Sequence, residues 1–376
     1  MGVLTEALLP LSWEFDTDDS GVELEQEDSD TIVEPYDPSN VRISSRSMTI
    51  SLIESRLSYN EIQLDPDFQR RAGIWNLTAQ SRLIESLLIR IPLPAFYFDA
   101  TNDDYWVVID GLQRLTAINK YIHGEYPLVG LEYLKNHNGL LFNELDRKLQ
   151  RRILETEILA FVVERDTPKD VKFNIFKRIN TGGLPLSPQE IRNALYQGQG
   201  TKLLNQLASS DVFRKATDGG VKTGRMSDRE CVLRFLAFLL TPYKEYSKNL
   251  ETFLNEALQK LNQQSPEQIY DLERRFYRSM DAAIKIFDNR AFRKPLETRT
   301  AINKPLFEAW SVTLDQNTDA ENEVLISKRE ELYKSFKEIY QSDRTFAGAI
   351  TGGTGSPSSV QKRFTIIENI VKETRQ

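Results

Sequence analysis

The sequence predicts an α+β chain, with every strand in its first half and a second half that is helical. Three observations carry this. Short runs rich in aromatic and β-branched residues at 95–98, 105–110 and 157–163 read as strands. Apolar residues at helical spacing separate them, in 77–90 and again in 113–121. Beyond about residue 198 the pattern is helical almost throughout, in 225–240, 247–262, 266–287, 301–314, 322–340 and 360–371. The expected organisation is an acidic arm over 1–41, a mixed domain over 42–197 and a helical domain over 198–376.

The arm stands apart in charge. The net charge of the 376 residues is −7, yet residues 1–41 hold twelve acidic residues and no Lys or Arg, leaving 48 basic against 43 acidic in a body of +5. Asp, Glu, Ser and Pro with few apolar anchors over 14–39 make a solvated arm the expectation. Such an arm could screen a basic groove of the body, competing with a nucleic-acid backbone from its tether. A body of +5 is compatible with DNA but does not by itself establish it, because phosphate binding follows clustering more than total charge.

Several function classes fall away. No apolar run is long enough to cross a membrane, and the first residues lack a basic segment ahead of a sustained apolar core, so the expected address is cytoplasmic. The single Cys231 sits in an apolar helical stretch, reads as buried filler and excludes an internal disulfide. His123 and His137, without cysteines at ligand spacing, give neither a zinc site nor a His-Asn-His nuclease centre.

From residue 42 the elements follow in order. Ile50, Ile53 and Leu57 make 47–57 a short helix. Residues 68–75 crowd aromatics and arginines, with two readings of equal weight: a pocket wall in which Arg70 or Arg71 reaches phosphate, or a loop pinned by Phe68 and Trp75. Leu83, Leu87 and Leu88 form the stripe of the 77–90 helix, on whose flank Glu85 could hold a pocket arginine or face water. His123-Gly124 reads as the end of the 113–121 helix. A charged helix over 142–154, the 157–163 strand and a helix from Lys169 lead to Phe176 and Asn180. Ser187-Pro188-Gln189-Glu190 is a helix start with a capping box. In the helical half, Arg229, Arg234, Arg274, Arg275 and Arg278 could line a groove, though ion pairs are the commoner fate of such residues. Residues 219–224 read as a turn and 347–359 as a linker.

The chemistry concentrates where the strand ending at Asp110 meets the helix starting near Gln113. A helix N-terminus presents unpaired N–H groups and a positive dipole end, and so attracts phosphate. Arg114 could clamp phosphate oxygens and Gln113 could bond a phosphate or orient a water. Asp110 could hold a ribose hydroxyl or a cation, Mg2+ for a nucleotide. Gly111 would let a ligand approach the backbone. The plain structural reading is an ordinary strand-turn-helix in which Asp caps the helix and Arg pairs with a carboxylate. Spacing alone favours that reading.

Three blocks change the weighting. Ile109-Asp110-Gly111-Leu112-Gln113-Arg114-Leu115-Thr116 resembles the Asp-Gly-Gln-Gln-Arg signature of the ParB/sulfiredoxin-like NTPase domain at the N-terminus of GmrSD-type modification-dependent restriction enzymes. Pro66-Asp67-Phe68-Gln69-Arg70-Arg71, followed by Trp75 and by 81–94, is similar to the opening block of that family. Residues 176–193, with Phe176 and Asn180, resemble its Phe-x-x-x-Asn block. The resemblance implies a ParB/sulfiredoxin-like N-terminal domain that takes an NTP as substrate or ligand, DNA as a partner and a partner nuclease for the missing cutting function. It makes Asp110, Gln113 and Arg114 candidate catalytic residues, and Arg70, Arg71, Gly111, Phe176 and Asn180 candidate nucleotide-binding residues. Leu112 departs from the family pattern, standing where the first Gln is usual, which puts hydrolysis in doubt. The alternative is a non-enzymatic ParB-like module that binds DNA or nucleotide in the same pocket.

Overall fold

Five strands form one mixed sheet, and the computed structural model describes residues 21–23, 25, 42–64, 75–102, 104–179 and 186–376 of the chain. In sheet order the strands are β1 (Ile43–Thr49), β5 (Glu157–Glu164), β3 (Phe96–Ala100), β4 (Trp106–Asp110) and β2 (Ile62–Gln63). β1 runs antiparallel to β5, β5 parallel to β3, β3 antiparallel to β4, and β4 parallel to β2. The β3–β4 pairing shifts register between Tyr97 and Phe98, a local irregularity just before the turn after Asp110.

Side-chain alternation assigns each strand residue to a face. Phe96, Phe98, Val108, Ile158, Ala160 and Val162 belong to one apolar cluster, shared with α1 (Ile50–Ser58), α2 (Leu77–Leu88), α3 (Leu112–Ile122) and α4 (Arg147–Leu154). Ile109 and Val163 turn to the opposite face, where α5 (Lys169–Ile179) and α6 (Pro188–Leu195) bury Val171, Phe173, Phe176 and Ile191. The sheet and these helices make up one compact unit, drawn from the described residues of Ile32–Gln197 with Gly224–Met226.

The second unit is helical and comprises Gly198–Thr223 and Ser227–Gln376 with the described N-terminal residues. Its helices are α7 (Gln199–Ala208), α8 (Asp211–Ala216), α9 (Ser227–Leu240), α10 (Leu250–Asn262), α11 (Pro266–Phe287), α12 (Lys304–Gln316), α13 (Asp319–Ser327), α14 (Arg329–Ser342), α15 (Arg344–Ala349) and α16 (Pro357–Arg375). The mixed α+β class, strands first and helices after, is therefore the observed one. α9 and α12 are buried nearly all round, and the charged residues they carry, Glu230, Arg234 and Glu308 among them, are buried with them. Cys231 lies inside α9, and burial pushes its thiol up to about 12. Among the described residues, no helix is long and apolar enough to cross a membrane.

Several expectations need correction. The 47–57 helix begins at Ile50, capped by the Thr49 hydroxyl, because residues 43–49 are drawn into the sheet by pairing with β5. That strand is mostly polar and buries only Met48, so its own pattern gave little signal. The 322–340 helix is two helices that meet at Lys328. The linker over 347–359 instead holds the end of α15, the buried Thr354 and the start of α16. Arg229 and Arg234 are buried rather than groove-lining. The solvated arm is corrected at Val22, Glu23 and Glu25: Val22 is buried in a bridge to Ile302, and the two carboxylates pair with Lys294 and Arg234. Apart from Gly21, the rest of the arm lies outside the described residues.

Glu85 neither holds a pocket arginine nor faces water. It is buried in α2 and accepts the backbone N–H groups of Glu132, Tyr133 and Leu134 at 3.0, 2.7 and 2.7 Å. Burial pushes its carboxyl up, but those three donors outweigh it and hold the group below the ordinary glutamate range. Its stabilisation is thus complete above the unfolded value and is lost as pH falls through the folded one. Glu85→Gln is expected to cost roughly 1–3 kcal/mol at neutral pH, with the gap to wild type closing in acid, as read by urea unfolding. A gap independent of pH would reject the ionic role.

Candidate functional site

The strand and helix of the central motif fall where the sequence puts them, and the turn between them is tighter than expected. β4 ends at Asp110, Gly111 takes the left-handed conformation with φ +98°, and α3 starts at once with Leu112. Two constraints make residue 111 a glycine. L side chains rarely adopt that φ, and a Cβ would lie 2.3 Å from the Phe96 ring. The space that Gly111 leaves is therefore filled by Phe96, not held open for a ligand.

Asp110 does not cap α3. The cap residue Gly111 has no side chain to do so, and no acidic residue lies in the first turn. The first N–H groups of α3 thus keep the anion-attracting character of a helix start. Asp110 instead pairs with Arg114, one helical turn on, with Oδ2 2.8 Å from Nη2. The same guanidinium donates to the carbonyls of Pro94 and Ala95, the latter at 3.1 Å, and lies 4.3 Å above the Phe96 ring. Its side chain is only 11% exposed. Burial pulls Arg114 below its ordinary value, against the opposing pull of Asp110. Arg114 therefore braces the turn, tying the start of β3 to the end of β4.

Gln113 reaches in another direction: its Oε1 accepts the Trp75 N–H at 3.4 Å, while Gln80 donates to the Trp75 carbonyl at 2.6 Å. Trp75 packs against the core cluster at its edge, and residues 68–74 lie outside the described residues. Leu112 is half-buried against the same cluster. His123 caps the far end of α3, its Nδ1 2.9 Å from the Asn119 carbonyl oxygen.

The motif residues Asp110, Gly111, Gln113 and Arg114 are thus together, and Phe176 is not with them. Phe176 is 3% exposed in the cluster on the opposite face of the sheet, because the apolar stripe of α5 packs there. Arg70, Arg71 and Asn180 lie outside the described residues. On the Phe176 face sits a polar group that sequence reasoning missed. Lys172, 1% exposed, donates to Asp99 at 3.0 Å and to the Thr101 hydroxyl, and Asp99 lines a small surface hollow with Val107, Phe176 and Leu186. The available signal was a lysine set between Val171 and Phe173 on a helix whose apolar positions face the sheet.

As a metal site, Asp110 supplies one carboxylate, and no group of three His, Cys, Asp or Glu able to hold an ion occurs among the described residues. That donor set fits only an ion that brings its own waters and the phosphates of a nucleotide, as Mg2+ does.

This turn, the interior strand β4 that leads into it and the capped helix after Ser187 all lie within one recognisable stretch. Residues 53–197 match the GmrSD restriction endonuclease, N-terminal domain. The GmrSD match stops at residue 197, where the mixed unit gives way to the helical one. It points to a component of a restriction or phage-defence system. No curated protein matches the chain.

Proposed function

We propose that the mixed unit is a nucleotide-binding, NTP-hydrolysing module of a bacterial DNA-modification-sensing or phage-defence system, with a ParB/sulfiredoxin-like site at the β4–α3 turn. One observation carries the reading: an uncapped helix start, directly after a left-handed glycine, flanked by Asp110, Gln113 and Arg114. Backbone N–H groups of the first turn of α3 would receive the phosphate, with Asp110 beside it for Mg2+ or a ribose hydroxyl. Arg114 acts here by holding the turn in shape, and Gln113, whose Oε1 accepts the Trp75 N–H, carries the amide closest to that turn in sequence. DNA is the proposed partner, together with a nuclease from another chain.

The commitment of Arg114 to Asp110, Pro94 and Ala95 favours a second reading, in which the site binds nucleotide or DNA phosphate without hydrolysis. Phosphate release measured with each NTP, with and without modified DNA, separates the two. Release above background supports hydrolysis, and saturable binding without release supports the binding module. Leu112→Gln extends the test. If an amide there positions water, turnover should rise more than affinity, because an interaction made only in the transition state shows in turnover. Equal turnover in both proteins would remove that role.

A further inference from the structure

The N-terminal residues 21–23 and 25 join the helical unit in the manner of a bound peptide. Val22 is 1% exposed and forms a parallel bridge with Ile302, the Glu23 N–H donating to the Ile302 carbonyl at 3.0 Å. Gly21, at φ +75°, sits so close to the chain at Gly220 that a Cβ would lie 2.2 Å from its carbonyl oxygen. Glu23 pairs with the buried Lys294 at 2.7 Å and accepts from Asn303 at 2.8 Å. Gly21, Val22 and Glu23 are thus each held by a specific contact.

Glu25 ends this segment in a buried ionic cluster. Both of its carboxylate oxygens meet the fork of Arg234, one of them at 3.1 Å from Nη1, and the Thr354 hydroxyl donates to it at 2.6 Å. Arg234 also faces Glu230 at 2.8 Å and Glu308 at 3.4 Å. Lys304 lies 3.0 Å from Glu230, and Arg363 pairs with Glu308. Three cations, Arg234, Lys304 and Arg363, thus stand against three carboxylates, two of which are fixed on α9 and α12. The third arrives from a segment 209 residues away in sequence. Burial pushes the Glu25 carboxyl up, and Arg234 with Lys304 more than reverses this. Without Glu25 the cluster keeps one excess buried positive charge, a guanidinium fork and a hydroxyl donor, which together suit a tetrahedral oxyanion.

We propose that Arg234 and Thr354, with the charge of Lys304, form a phosphate-binding site in the helical unit that Glu25 fills as a tethered substitute, so that a phosphate group and the 21–25 segment compete for it. A tether gives Glu25 a high effective concentration, so the filled state dominates until a phosphate-bearing ligand is abundant or held nearby. The site is separate from the β4–α3 turn, and its test does not depend on nucleotide hydrolysis.

The test uses the full chain. Thermal unfolding of Glu25→Ala is followed in inorganic phosphate and in sodium chloride of equal ionic strength. The variant should melt lower than wild type in chloride and recover most of the loss saturably in phosphate, with wild type nearly unresponsive. Equal recovery in chloride, or none in either salt, makes Glu25 a structural ion pair only and overturns the proposal. Should Glu25→Ala not fold, Glu25→Gln keeps the size of the side chain while removing its charge, and the same comparison applies. In wild type, amide exchange at Glu23 reports release of the segment through its bond to Ile302. Faster exchange in saturating inorganic phosphate identifies the free anion as competitor, and faster exchange only with a short DNA duplex identifies the phosphodiester. Unchanged exchange in both overturns the competition.

Discussion

Replacing Arg234 with methionine is expected to lower folding free energy by roughly 3–5 kcal/mol, the range for removing one member of a buried ion pair. The guanidinium is 2% exposed and faces Glu25, Glu230 and Glu308. Burial pulls Arg234 down, yet these carboxylates hold it well above its ordinary value, so the charged form is the one the fold needs. Methionine fills much of the volume but leaves three carboxylates with two cations. Repulsion and lost hydrogen bonds among them account for the expected cost. Urea unfolding at neutral pH measures it. Arg274→Met is the control, since Arg274 and Asp271 are 62% and 49% exposed and such a pair contributes about 1 kcal/mol at most. Similar losses in the two variants would reject the buried-network argument.

Arg114→Ala should do two separable things. It removes a brace that reaches Asp110, Pro94 and Ala95 and covers the Phe96 ring, at an expected cost of about 1–3 kcal/mol of stability. Asp110 is 33% exposed and can turn to water, which keeps the loss below that of Arg234. If the turn binds nucleotide, affinity should also fall by roughly 1.5–3 kcal/mol, the range for hydrogen bonds to charged groups. Chemical denaturation reads the first effect, and nucleotide titration of the folded variant reads the second. Unchanged affinity in a folded but weakened protein would leave Arg114 as a purely structural brace. Arg114→Lys sharpens the comparison, because lysine keeps the charge but cannot bridge two carbonyls and a carboxylate while stacking on Phe96.

What the sequence determined is local. β4 and α3 were legible because aromatic and β-branched residues give way, at Asp110-Gly111, to apolar residues at helical spacing. The start of α6 was legible because Ser-Pro followed by Glu satisfies the first backbone donors wherever it occurs. The resemblance placed the candidate turn for the same reason: its blocks are contiguous in the chain.

Only the tertiary structure decided where those pieces meet. β1 exists because β5 offers it a partner, a contact more than a hundred residues away that its polar sequence does not announce. Arg114 could have been a free clamp or a brace, and the approach of Pro94, Ala95 and Phe96 makes it a brace. Phe176 sits on the opposite face because sheet alternation sends Ile109 there and α5 follows it. The acidic residues Glu23 and Glu25 read as solvated charge, yet each meets a buried cation from the helical unit. Composition describes a segment in water, whereas burial, pairing and desolvation are properties of the partner that the fold brings to it.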